Sequence, residues 1–111
     1  LLSLASKQSH ILCFFKFMNE ILKILMCHMV GDYFMQTEYM AIEKGKDWYV
    51  LFAHCVCYCV PFAVVYGCDL NIWLLFISHF VADAAKARYH SLSLCEDQLS
   101  HLWIAFVLYC L

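Results

Sequence analysis

Three histidine–aspartate pairs, His28/Asp32, His79/Asp83 and Asp97/His101, are each separated by four positions in a chain of 111 residues. Four positions is just over one helical turn, so both members of a pair project from one face of one helix. A fourth histidine, His54, stands inside another apolar stretch. Neutral imidazole and carboxylate are ligands that zinc, manganese and non-haem iron share, and two of them at this spacing can chelate one ion from a single helix. The chemistry to expect is binding of a divalent transition metal (zinc, manganese or iron) by His28, His54, His79 and His101. Asp32, Asp83 and Asp97 then serve as further ligands, as carboxylates that orient the imidazoles, or as a general base. Four histidines and three aspartates are compatible with one ion or with two.

Four apolar segments must position these residues: Asn19 to Tyr39, Trp48 to Tyr66, Asn71 to Arg88, and Cys95 to Leu111. Each holds about 17–21 residues, near the lower limit for a helix that crosses a bilayer. Breakers separate them at Glu43–Asp47, Gly67–Asp69 and His90–Ser93, while Pro61 lies where a membrane helix tolerates a kink. The chain is 65% hydrophobic and 14% charged, with a mean hydropathy of +0.72. A typical soluble domain is roughly 25% charged. The expected architecture is all-α, a four-helix transmembrane bundle formed as one domain by residues 18–111. Met18 is the first methionine, and residues 1–17 read as a leader, either an upstream translation or a fragment edge. Counted by rise per residue, Asp32, His54, His79 and His101 fall at a common depth, roughly 9–14 Å below one interface.

Charge placement suggests which interface. Lys44, Lys46, Lys86 and Arg88 fall in the first and third connections, which share one side of a four-span bundle. The positive-inside rule makes that side cytoplasmic. The same cations ring the mouth of the expected site, where they suit the phosphate of an anionic head group. Gln36 and Gln98 would add hydrogen bonds to such a substrate. His10 and His90 have no such company and read as solvated or interfacial. A formal net charge of −2 leaves no electrostatic footprint for nucleic acid. The eight cysteines contain no C-x-x-C pair, and Cys55, Cys57 and Cys59 alternate around a helix, so they read as small apolar filler.

The ordered set His28-x-x-Gly31-Asp32-x-x-x-Gln36-Thr37, Lys44-Gly45-Lys46, His54, His79-x-x-x-Asp83-x-x-Lys86-Ala87-Arg88 and Asp97-Gln98-x-x-His101 resembles a family of small bacterial and phage membrane proteins of unknown function. The likeness covers about Ile21 to Leu111. It implies a membrane bundle, with a bacterial inner membrane as its setting, but no activity. A looser likeness connects the chain to inner-membrane metal-dependent hydrolases, which also place His and Asp one turn apart in membrane helices. The function to expect is a membrane-embedded metal-dependent hydrolase acting on a phosphate ester or lipid head group at the cytoplasmic interface. The alternative is a non-enzymatic transport, proton-relay or interaction module in which the His–Asp pairs tie the bundle together.

Overall fold

The computed structural model describes residues 2–111, and no strand forms among them. Helix α1 spans Leu2–Met29 and passes through Met18 without a break. A single π turn, Val30–Phe34, follows, then α2 (Glu38–Glu43), α3 (Trp48–Tyr66), α4 (Leu70–Ala87) and α5 (Leu94–Cys110). The expected second, third and fourth segments match α3, α4 and α5 to within a residue at each end.

The local chemistry explains these boundaries. Thr37, Asp47 and Asp69 each accept a hydrogen bond from a first-turn amide of α2, α3 and α4. Ser93 and Glu96 form a reciprocal capping box on α5. At the other end of α3, Gly67 takes a φ of 88°, a left-handed conformation that suits glycine.

The first segment is where the structure departs from the expected continuous helix to Tyr39. At Gly31 the chain runs so close to α3 that a Cβ would lie 2.6 Å from the Tyr58 carbonyl oxygen and 3.0 Å from its Cα. Around that contact the helix widens, with Met35 N–H donating to Val30 O at 2.9 Å across five residues. Thr37 then caps a new short helix instead of prolonging the old one. Gln36 falls in the break between them, off the helix face that was to carry it.

The bundle exposes large apolar side chains and buries a polar cluster within an otherwise apolar core. Among the described residues, His28, Asp32, Lys44, His54, His79, Asp83, Asp97 and His101 are all buried. Phe52, Val64, Ile77, Val81 and Trp103 are exposed. Both features depart from the usual partition of side chains in water. Helices α3 and α4 are the two among the described residues that are long and apolar enough to cross a membrane. Beneath the histidines lies a sealing layer of Ile24, Cys27, Phe62, Leu75 and Ala105. Ile24, Leu75 and Ala105 each stand one turn from His28, His79 and His101, so one helix face presents a polar layer and then an apolar floor.

Candidate metal centre and its mouth

Helices α3, α4 and α5 and the π turn deliver their polar groups to one buried point. His54 Nε2 lies 3.1 Å from His79 Nε2, 3.3 Å from Asp32 Oδ1 and 3.0 Å from Asp83 Oδ2. His79 Nε2 is 3.9 Å from the same Asp32 oxygen and 3.8 Å from the same Asp83 oxygen. A second cluster adjoins it, where His101 Nε2 lies 3.0 Å from Asp97 Oδ1 and 3.4 Å from Asp83 Oδ1. The two are joined through His79, whose Nδ1 sits 3.2 Å from His101 Nδ1, and through Asp83, which sends one oxygen to each.

Donor atoms held by one ion at about 2.1 Å lie about 3.0 Å apart in octahedral and about 3.4 Å apart in tetrahedral geometry. The spacings above fall close to that range. His101 Nε2, Asp83 Oδ1 and Asp97 Oδ1 are buried and close together, with the imidazole nitrogen facing both carboxylate oxygens. Three such atoms crowded at one buried point offer the donor types of a ligand set. Two groups, Asp32/His54/His79 and His79/Asp83/His101, could each hold a metal ion.

Two lysines are built into the cluster. Lys44 Nζ donates to Asp83 Oδ2 and to Gln36 Oε1, both at 2.9 Å, and Lys86 Nζ donates to Asp97 Oδ2 at 2.9 Å. Three carboxylates thus face two ammonium groups. Above the cluster opens a cavity of about 490 Å³, lined by Gln36, Lys44, Gly45, Lys86, His90 and Leu92 among others. The first and third connections therefore meet at one mouth, as the shared-side argument from charge requires.

Several sequence-derived roles change. His28 falls in neither group, and Tyr58 Oη engages its Nδ1 at 3.1 Å and Gln98 Oε1 its Nε2 at 2.8 Å. Asp32 is 4.0 Å from His28 and is tied to it through Gln98, whose amide nitrogen donates to Asp32 Oδ2 at 3.0 Å and Asp97 Oδ2 at 3.2 Å. Gln98 is thus a central strut, where a substrate contact at the rim was expected. Lys44 is buried as a counter-ion. Lys46 turns outward to Glu43, and Arg88 lies 3.8 Å over the Trp48 ring. Of the six expected substrate contacts, Gln36, Lys44 and Lys86 line the mouth.

Tyr58 was not anticipated. It is fully buried, stacks on His79 with ring centroids 3.7 Å apart and fixes the His28 ring. Its signal was available, since it follows His54 by four positions, the spacing that marks the three His–Asp pairs. The eight cysteines are all free thiols, and Cys27, Cys55 and Cys59 are buried packing residues, as their pattern indicated.

Neither a curated protein nor a solved structure matches the chain. Residues 21–111 match a family described as a protein of unknown function, DUF3307. The match takes in the π turn, α2–α5 and every residue of the cluster, and the chain belongs to that family.

Proposed function

We propose that this chain is a membrane-embedded hydrolase that depends on a divalent transition metal and acts on a phosphate ester presented at the membrane surface. The observation that carries this reading is the convergence of Asp32, His54, His79, Asp83, Asp97 and His101 at ligand-like spacing beneath a cationic mouth. When bound, the metal supplies a water of lowered pKa and polarises a phosphoryl oxygen. Lys44 and Lys86 bind the phosphate at the mouth. Asp97, whose Oδ1 lies 3.0 Å from His101 Nε2, serves as the carboxylate that accepts a proton from a water molecule. Tyr58 and Gln98 hold His79 and Asp32 in register.

The test is elemental analysis of detergent-purified protein, followed by a phosphomonoesterase assay. About one or two equivalents of zinc, manganese or iron are expected, with hydrolysis that stops on chelation. No metal in folded protein, even after reconstitution with all three, would overturn the reading. A second reading is favoured by the Lys44–Asp83 and Lys86–Asp97 pairs, which could serve a structural or proton-relay network with no ion at all. That reading predicts the metal-free result.

The membrane setting rests on the exposed apolar side chains around a buried polar cluster and on the length of α3 and α4, with α1, α3, α4 and α5 read as four spans in a bacterial inner membrane. Lys44, Lys46, Lys86 and Arg88 cluster at the mouth end, and the positive-inside rule supports a cytoplasmic mouth. Exposed thiols mark both ends, Cys95 at the start of α5 near the mouth and Cys68 in the α3–α4 turn opposite. In single-cysteine variants, an impermeant maleimide added to whole spheroplasts should label Cys68 at once and Cys95 only after lysis. The reverse order would overturn the orientation, and equal labelling of both would overturn the spanning topology.

A further inference from the structure

Lys44 and Lys86 belong to two sites at once. From below they neutralise Asp83 and Asp97, and from above they line the polar cavity at the mouth. We propose that this cavity is a binding site for a phosphate monoester dianion and that its filling is linked to metal binding in the cluster beneath. The inference rests on the metal reading above and adds to it the regulation of that site.

The argument is electrostatic. Without an anion, each ammonium group holds a carboxylate oxygen at 2.9 Å and repels any dication bound a few ångströms below. A dianion in the cavity offers the lysines a second partner. An ammonium group has three donors, so each lysine can turn toward the anion without losing all its other contacts. Asp83 Oδ2 and Asp97 Oδ2 are then released to a metal, whose charge replaces that of the lysines. Each ligand therefore favours the arrangement that the other needs, and the coupling must be reciprocal.

The walls of the cavity are fixed for the purpose. At Gly45 a Cβ would lie 2.7 Å from the Ala87 carbonyl oxygen, so the α2 turn is clamped against the end of α4. His90 adopts a φ of 52°, a left-handed conformation that is costly for a residue with a side chain. It lines the same cavity as the two lysines. Backbone held in such a state tends to collect at ligand-binding segments.

The experiment titrates the whole protein in detergent or nanodiscs with Mn²⁺, following free ion by electron paramagnetic resonance. One arm adds methyl phosphate, and another uses nanodiscs of phosphatidylcholine with or without phosphatidic acid. Mn²⁺ affinity should rise about tenfold with the anion, within the usual range for coupled sites, and methyl phosphate affinity should rise by the same factor with Mn²⁺. Coupling with both anions assigns the site to phosphate monoesters in general, and coupling with phosphatidic acid alone assigns it to a lipid head group. Lys86→Met should bind Mn²⁺ at least as tightly as wild type and lose most of the coupling. His90→Gln, which leaves both ion pairs intact, should weaken the anion and leave Mn²⁺ binding alone unchanged. Mn²⁺ bound with an affinity indifferent to both anions would overturn the linkage and leave the metal reading standing. No Mn²⁺ binding under any condition would overturn both.

Discussion

Asp83→Ala is expected to cost more stability than any other single change in the cluster. Asp83 is fully buried, and its Oδ2 carries the charge that Lys44 faces at 2.9 Å, with Lys44 itself only 8% exposed. Removing the carboxylate leaves a nearly buried ammonium group without its charge partner, and breaking a buried pair from one side costs about 3–5 kcal/mol. Gln36 would still accept from Lys44, but a dipole replaces a charge poorly. The double variant Asp83→Ala/Lys44→Met removes both charges and should recover most of the loss. Unfolding in detergent, followed by tryptophan fluorescence, gives the comparison. If the single variant unfolds within about 1 kcal/mol of wild type, the ion pair is not the strut described here.

His79→Ala is expected to separate metal binding from folding, which Asp83→Ala cannot do. The His79 imidazole is common to both ligand groups, Nε2 facing His54 and Nδ1 facing His101. It faces neither lysine, so its loss leaves the Lys44–Asp83 and Lys86–Asp97 pairs intact. What is lost in packing is the stack on Tyr58 and the volume of one ring, about 1–3 kcal/mol. Metal affinity should fall by more than about 100-fold, beyond the effect typical of residues that merely orient a ligand. Circular dichroism should show the helices retained. Full metal occupancy in a folded His79→Ala protein would remove the shared-ligand geometry from consideration.

Much of the site was legible because helical spacing is a rigid ruler. Once α3, α4 and α5 were bounded by Asp47, Asp69 and Ser93, the depths of His54, His79 and His101 followed from rise per residue alone. The π turn was not legible, since it arises where Gly31 meets the backbone of α3, a contact far apart in sequence. Everything downstream of it moved accordingly. Gln36 left its helix face, and α2 appeared to carry Lys44 inward, although orientation rules alone had placed that lysine at a solvated rim. The partners of His28 were not legible for a related reason. Spacing finds residues on one face but not which neighbour saturates them, and the partners of His28 come from α3 and α5. Arg88 was a charge to the eye but a stacking plane in the fold.

The widened turn at Val30–Phe34 sets a conflict between regularity and use. Deleting Val30 would let α1 run on with ordinary hydrogen bonds and turn Asp32 by about 100° relative to His28. The carboxylate would then swing away from His54, and Gly31 would lose its seat against Tyr58. A smoother, sturdier segment would thus be a poorer cradle, so selection for regularity alone would erase the very irregularity that points Asp32 inward.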